Sequence, residues 1–416
     1  MNQKTFIVIG AGHRGRIYSR VAKLFPDRAR IVGIAEPNDF YRDYMVKEYN
    51  IPLENVYTDW KQLAGQKKIA DAVIIATQDK MHAEPAVAFA NLGYHIMLEK
   101  PMATTETDCR RIVDAVIKNK IIFAVCHVMR YTNFTHNLKS ILDSGVIGDI
   151  VTVQHLENVG YWHQAHSYVR GNWRNEQLSS PMLLAKSCHD MDWLRYIMNV
   201  RCRKVSSFGY LTYFKRANQP KGAADRCFDC NVESTCPYSA IKIYLRHAAN
   251  NRFGWPVDVV THEKTYTAVH EAIKTGPYGR CVFACDNNVV DNQVVNLDFD
   301  GDRTCVFTMT AFNKTGHRKT RIFGTRGEIY GDGLNIIERY DFLTDKTEII
   351  DLSKQGPVTS GHGGGDNGLA GSFLDALIKD DPSTILSGPK ETLESHLMVF
   401  AAEKARKENR VVDIEL

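Results

Sequence analysis

A glycine-rich loop carries the most specific chemistry in this chain. Phe6-Ile7-Val8-Ile9 is an apolar run too short for a helix, and it leads straight into Gly10-Ala11-Gly12-His13-Arg14-Gly15. A helical pattern follows from Arg14 to about Phe25. Between a strand and a helix, Gly-x-Gly-x-x-Gly is the spacing that holds a dinucleotide pyrophosphate. Gly10 makes the tight turn, Gly12 lets the backbone approach the phosphates, and Gly15 lets helix and strand pack closely. The first helical N–H groups, around His13 and Arg14, then face phosphate oxygens. A second strand-like run, Ile31 to Ala35, ends in Glu36 about twenty residues past Gly15, where a carboxylate would accept from the adenosine ribose hydroxyls. Glu36 would repel a ribose 2′-phosphate, so the expected cofactor is NAD, with NADP disfavoured.

Two further strand ends reach the same edge. Asp71 to Thr77 looks like a fourth strand, leaving Thr77 where ligands bind in such sheets and His82 at the start of the next helix. Tyr94 to Leu98 looks like a fifth and ends in Glu99-Lys100-Pro101. Lys100 and Glu99 therefore sit beside the place a nicotinamide would occupy, and a cis bond at Pro101 would fix the lysine's direction.

The second half of the chain carries its own candidates. Tyr161-Trp162-His163, Arg170 and Trp173-Arg174 make an aromatic and cationic run with no clear period, which suits a loop facing a hydroxylated or acidic ligand. Leu183 to Leu194 reads as one helix, with Lys186, His189 and Asp192, or Lys186 and Asp190, at helical spacing on a shared face. Cys227-x2-Cys230-x5-Cys236 brings three thiolates within reach of one metal, with Cys281 or Cys285 as the fourth ligand. The expectation is a structural metal, zinc ahead of an iron–sulfur cluster. His362, among glycines in the stretch from Thr359 to Asp366, could close over a substrate, although a plain linker explains the glycines as well.

Positioning these groups takes two units. Strand-like and helix-like segments alternate from residue 5 to about 127, the pattern of a parallel sheet covered by helices. From there the runs alternate polar and apolar (Val294 to Phe299, Cys305 to Thr310, Arg321 to Gly324), as antiparallel strands do. The division expected is therefore a dinucleotide-binding unit over 1–127 and a substrate-binding unit over 128–416. A chain of 416 residues with 44% hydrophobic and 24% charged residues has ample core. Its net charge of +4 is too small to imply nucleic acid or a membrane surface. No apolar run reaches the roughly 18 residues of a membrane span, and the N-terminal apolar run ends in the glycine loop rather than a cleavage site. Ten unevenly spaced cysteines fit a reducing cytoplasm.

Gly10 to Gly15, Ala35-Glu36-Pro37, Glu99-Lys100-Pro101 and His189 to Tyr196 together resemble the Gfo/Idh/MocA oxidoreductases, named for glucose-fructose oxidoreductase and inositol dehydrogenase. The resemblance covers nearly the whole chain, and a Cys-Pro-Tyr segment after the cysteines marks a subgroup. It implies an N-terminal Rossmann doubly wound sheet and a C-terminal α/β domain with a large, mainly antiparallel open sheet. It also implies a homodimer or homotetramer through that sheet's outer face, and a small carbohydrate or polyol as substrate. Lys100 carries over as a catalytic residue and His189 as the second polar group facing substrate. One departure stands out. Many members place an Asp four residues before this His, whereas this chain has Ala185 there, with Lys186 next to it, so Lys186 enters the acid/base arrangement. The function implied is hydride transfer between NAD(H) and a carbohydrate hydroxyl. Alternatives are an NAD-dependent glycosidase working by transient oxidation and elimination, or a non-catalytic NAD sensor.

Overall fold

Six parallel strands open the chain: β1 (Lys4–Ile9), β2 (Ala29–Ala35), β3 (Val56–Tyr57), β4 (Ala72–Ile75), β5 (His95–Leu98) and β6 (Phe123–Val125). The computed structural model describes residues 3–314, 316–355 and 361–415. The sheet runs in the order β3-β2-β1-β4-β5-β6, and each neighbouring pair is parallel. Its central strands are unbroken apolar runs because helices cover both faces; Phe6, Ile7, Val8, Val73, Ile74 and Ile75 are fully buried. Strand order reverses between β1 and β4. The crevice beyond the strands' C-terminal ends at that point is where such sheets take ligands.

The second sheet has nine strands. They are β7 (Ile150–Asn158), β8 (Cys202–Tyr210), β9 (Asn292–Phe299), β10 (Arg303–Thr310), β11 (Lys319–Gly324), β12 (Gly327–Gly331), β13 (Ile336–Asp341), β14 (Lys346–Asp351) and β15 (Val412–Asp413). The order is β14-β13-β12-β11-β7-β10-β9-β8-β15, antiparallel throughout except for β7 beside β10. Alternation gives the sheet one packed face. Val295, Leu297, Phe299, Phe307 and Met309 point inward onto the helices Cys188–Met198 and Pro389–Glu408. The opposite face leaves Val151, Phe208 and Val294 exposed.

Two features tie the sheets together. The helix Gly365–Lys379, late in the chain, packs Phe373, Leu374 and Leu377 with Phe6 and Val8 of the first sheet and Tyr18 of the helix His13–Ser19. Arg130, just past β6, makes a bidentate pair with Asp192 on the helix Cys188–Met198, both bonds 2.7 Å and both groups buried. Removing one partner of such a pair strands a buried charge and costs about 3–5 kcal/mol.

The helix expected over Leu183 to Leu194 is in fact two. Met182–Ala185 ends at Lys186, and Cys188–Met198 begins after Ser187, with Lys186 at φ −110° and Ser187 at ψ 9°. The break comes at the polar pair Lys186-Ser187, so Lys186 and His189 do not share one continuous helical face. Thr359 and Ser360, from the glycine-rich stretch, lie outside the described residues.

Candidate active site

The glycine loop has the shape its spacing demands. Gly10 adopts φ +83°, and a Cβ there would stand 2.6 Å from the Ala76 carbonyl oxygen. A Cβ on Gly15 would fall 1.9 Å from the Gly10 oxygen, so the helix His13–Ser19 can approach β1 only as it is. At Gly12 the same atom would meet nothing within 4 Å, which leaves the loop open on the side where a pyrophosphate would lie. Glu36 ends β2, 6% exposed. Its Oε2 accepts from Ala11 N–H at 2.6 Å and its Oε1 from Asn38 N–H at 2.8 Å. Each oxygen keeps a lone pair for a ribose hydroxyl. The residues present therefore fit a dinucleotide. Arg42 is turned away, its Nη1 donating to the Glu36 carbonyl at 2.8 Å.

Several expected cofactor residues serve as brackets instead. Arg14 donates from Nε to Glu99 Oε1 at 2.6 Å and from Nη2 to Asp366 Oδ1 at 2.6 Å, clamping the loop helix to the end of β5 and to the helix Gly365–Lys379. His82 is fully buried, Nδ1 2.7 Å from the Pro101 oxygen and Nε2 3.2 Å from the Thr77 oxygen. It holds two strand ends together rather than opening onto the cofactor face. Thr77 Oγ1 donates to the Met81 carbonyl at 3.1 Å.

A segment missed from the sequence stands over the groove. His262, in the long excursion between β8 and β9, stacks on Phe40 at 4.1 Å between ring centroids. Asp258 in the same segment acts on His13, partly offsetting the burial that lowers its imidazole. Nothing in the composition around Asp258 announced this, because the contact is set by how the excursion folds back.

The catalytic candidates meet at the end of β5. The Lys100–Pro101 peptide is cis, and Lys100 Nζ donates to the Ala185 carbonyl at 2.7 Å. His189 is 5% exposed, with Nδ1 free of any hydrogen bond among the described residues. Burial, then the nearby Lys100 charge, holds its imidazole well below the usual range, so it is neutral at physiological pH. Its ring lies 5.9 Å from that of His362, whose Nδ1 is 3.2 Å from Asp366 Oδ2.

Lys186 belongs to a charge network with Glu157, Arg318 and Asp190. Its Nζ lies 3.3 Å from Glu157 Oε1, and Arg318 Nε lies 2.5 Å from Glu157 Oε2 and 2.9 Å from Asp190 Oδ1. His155 completes it, with Nε2 3.1 Å from Asp190 Oδ1. Burial lowers the Lys186 ammonium and Glu157 offsets part of that. Burial alone would raise the Asp190 carboxyl, but Arg318, helped by His155, holds it below the usual carboxylate range. Two cations face two carboxylates, so the network is neutral as a whole. Glu157 and Arg318 were not singled out from the sequence. The signal was there: His155 and Glu157 take the inward phase of β7, set by Val153, and charged groups at core positions need partners.

The aromatic and cationic run divides. His163, held well below the usual range by burial and by Lys186, packs its ring 5.0 Å from Trp255. Tyr161 is 39% exposed. Trp173 Nε1 donates to both oxygens of Asp79 at 3.2 Å, joining the loop to the end of β4. The two arginines do not face a ligand here. Arg174 pairs with Asp286 at 2.8 Å, and Arg170 is buried beside Cys227. Arg174 is satisfied by protein acceptors, whereas Arg170 keeps Nη1 without a hydrogen-bond partner among the described residues.

The expectation of zinc is not met. Among the described residues no three His, Cys, Asp or Glu side chains are grouped to hold a metal ion. Cys227, Cys230, Cys236 and Cys281 instead line a common cavity, and Cys285 is outside it, donating to the Cys281 carbonyl at 3.3 Å. All ten cysteines are unpaired. Among the described residues no helix is long and apolar enough to cross a membrane.

Known proteins share this architecture. Residues 4–127 match the model described as the oxidoreductase family, NAD-binding Rossmann fold (GFO_IDH_MocA), and residues 139–414 match the family's C-terminal alpha/beta domain. The sequence is 26% identical over 204 residues to a 2,7-anhydro-N-acetylneuraminate hydratase of Mediterraneibacter gnavus, covering 49% of this chain and 52% of that one. It is 30% identical over 147 residues to an inositol 2-dehydrogenase of Salmonella typhimurium, covering 35% and 42%. The match spans about half the length of most of the first curated relatives, and 73% of a putative oxidoreductase of Bacillus subtilis. The fold superimposes on a levoglucosan dehydrogenase solved with NADH and levoglucosan, at a TM-score of 0.74, 17% identity and full coverage of both chains.

Proposed function

The chain belongs to the Gfo/Idh/MocA family of oxidoreductases, and from that premise we propose that it moves hydride between NAD(H) and a hydroxyl-bearing carbon of a sugar, polyol or related carbohydrate. The observation that carries this is the placement of Lys100. Its amine stands at the C-terminal end of β5, on the sheet edge that bears the glycine loop and Glu36, with its direction set by the Ala185 carbonyl.

Gly10, Gly12 and Gly15 would hold the pyrophosphate and Glu36 the ribose. The nicotinamide, once bound, supplies the two-electron acceptor or donor. The protein's part is the proton. As hydride leaves the carbinol carbon, Lys100 takes the hydroxyl proton, so that a neutral carbonyl forms. His189, neutral and with Nδ1 unengaged, orients that hydroxyl or shares its proton. Lys186, anchored by Glu157, supplies positive charge to the same oxygen. His163, Tyr161 and Trp173 form the wall for the rest of the substrate. The polyhydroxylated rings named for the inositol and levoglucosan dehydrogenases support a substrate of that class. A division near residue 127, a dimer or tetramer through the open face of the nine-stranded sheet, and a reducing cytoplasm complete the proposal.

A redox-neutral variant is favoured by one observation. The hydratase relative acts on an anhydro sugar, and Lys100 and Lys186, close enough for their charges to act on each other, offer both an acid and a base. Incubation with NAD and a panel of free sugars, polyols, glycosides and anhydro sugars separates the cases. NADH accumulating with a free sugar or polyol supports dehydrogenation. Consumption of a glycoside or anhydro sugar without net NADH supports the redox-neutral route. Cofactor binding without turnover of any of them would leave an NAD sensor.

A further inference from the structure

Three buried ring nitrogens near Lys100 have no hydrogen-bond partner among the described residues: Nδ1 and Nε2 of His127, and Nδ1 of His189. Leaving a buried polar atom unpaired is costly, so three in one place call for a bond that joins them. His127 follows β6. Leu98 of β5 pairs with Val125 of β6, so Lys100 and His127 each come two residues past that pair, on the same sheet edge. His127 has no exposed surface, and its ring centroid stands 5.7 Å from that of His189 and 5.5 Å from that of His396. Burial, then the Arg130 and Lys100 charges, holds its imidazole well below the usual range, so it is neutral.

The neighbours decide what each nitrogen does. Met102 N–H donates to His396 Nε2 at 2.9 Å, so the His396 proton is on Nδ1, 2.8 Å from the Thr392 carbonyl oxygen. His396 is fully engaged and offers His127 nothing. Asp192 has room. Its Oδ1 accepts from Arg130 Nη2 and Ser395 Oγ, while Oδ2 accepts from Arg130 Nε and keeps a lone pair. Oδ2 lies 3.8 Å from His127 Nδ1, just beyond bonding distance, and draws the ring's proton to that nitrogen. A neutral imidazole carries one proton, so His127 Nε2 is left as an acceptor.

His189 holds the matching donor. Its Nδ1 is buried, whereas Nε2, equally without a bond among the described residues, keeps some exposed surface. Ala185, one turn earlier, has no side-chain acceptor, and His362 spends its own Nδ1 on Asp366. The His127 and His189 rings, nearly perpendicular at 81°, are slightly farther apart than two imidazoles joined edge to edge by one N–H···N bond.

We propose that His127 is a positioning residue for the hydride transfer set out above, and the inference rests on that reading. Its Nε2 accepts from His189 Nδ1–H and its Nδ1–H donates to Asp192, so that His189 presents a bare Nε2 to a substrate hydroxyl. Which nitrogen of a histidine is free for chemistry is set by the bond the other one makes. No proton is transferred along the chain: Asp192, held by Arg130, stays ionised, and His127 stays neutral. His189 then accepts from substrate rather than donating to it.

The first test needs no substrate. Whole protein with 15N-labelled histidine rings is examined by NMR in its NAD complex, with His189 assigned by the signals lost in His189→Gln. His189 should carry its proton on Nδ1 and none on Nε2, and His127→Phe, which keeps a ring but no polar atom, should abolish that preference. On a carbohydrate that the wild type turns over, His127→Phe should lower kcat roughly 10–100-fold, with KM and NADH affinity changed far less. His127→Gln, whose amide both donates and accepts, should recover most of the loss. A wild-type His189 protonated on Nε2 would overturn the proposal, as would wild-type kcat in His127→Phe or a His127→Gln no better than it. If His127→Phe fails to fold, the wild-type NMR result and His127→Gln still decide. Absence of turnover of any carbohydrate would count against the dehydrogenase reading alone, leaving the NMR result to judge His127.

Discussion

Glu157→Gln isolates the charge network beside Lys100. The change keeps volume and hydrogen-bonding atoms but leaves Lys186 and Arg318 facing Asp190 alone, with one buried positive charge uncompensated. Arg318 cannot give up its proton, so the imbalance is relieved by Lys186. Neutralising an amine of ordinary pKa 10.5 at pH 8 costs at most about 3.4 kcal/mol, at 1.36 kcal/mol per unit. Because burial already lowers Lys186, the loss expected at pH 8 is somewhat smaller, about 1–3 kcal/mol. Its pH dependence has a fixed sign. In the variant Lys186 sheds its proton on folding, so the variant gains stability as pH rises, while the wild type stays level until its own Lys186 titrates. The gap between them should therefore shrink from pH 7 to pH 9. Adding Lys186→Met to Glu157→Gln restores neutrality and should recover much of the loss. Urea unfolding of wild type, both single variants and the double variant at pH 7, 8 and 9 measures all of this. Additive single penalties that do not change with pH would refute the idea of a balanced network.

Other outcomes can be checked alongside. NAD should bind more tightly than NADP, and Glu36→Ala should narrow the gap while loosening the loop through the lost Ala11 and Asn38 amide bonds; equal or tighter NADP binding by the wild type, in a titration of each, would contradict this. His166 and His396 are held at about 3 by burial against an ordinary 6.5, so the unfolded chain takes up their protons first as pH falls. Their contribution is complete above pH 6.5 and should be lost between pH 6.5 and 3, each at about 1.4 kcal/mol per unit; an unchanged urea midpoint from pH 7 to 5 would refute it. Trp173→Phe removes the donor to Asp79 and should lower stability by about 1.5–3 kcal/mol, read by thermal unfolding with NAD present and absent.

Local chemistry was legible where it depends on neighbours in sequence. The glycine spacing, the apolar runs that became β1, β2, β4 and β5, and the alternating runs that became β9, β10 and β11 all follow from rules that act over a few residues. Lys100 was legible for the same reason, as the residue that follows a strand. What escaped depends on contacts across the chain. The helix Gly365–Lys379 reads as part of the second unit, yet its apolar stripe covers β1. Arg170 and Arg174 looked free to bind a ligand because sequence shows a charge but not its partner. Glu157 needed the phase of β7 to be read for charge as well as hydrophobicity. The cysteine spacing named thiols that line one cavity, but whether they group for a metal is set by loops forty-five residues apart, from Cys236 to Cys281, and among the described residues they do not.

The most direct measurement is Lys100→Met, assayed on whichever carbohydrate the wild type turns over. The side chain keeps its length and loses its proton function, and Gly10, Gly12, Gly15 and Glu36 are untouched. NADH binding, followed by fluorescence titration, should match the wild type, while kcat falls roughly 10²–10⁴-fold. Lys100→Met with near-normal turnover and unchanged cofactor affinity would show that the proton leaves by another group, and that Lys100 does not do this chemistry.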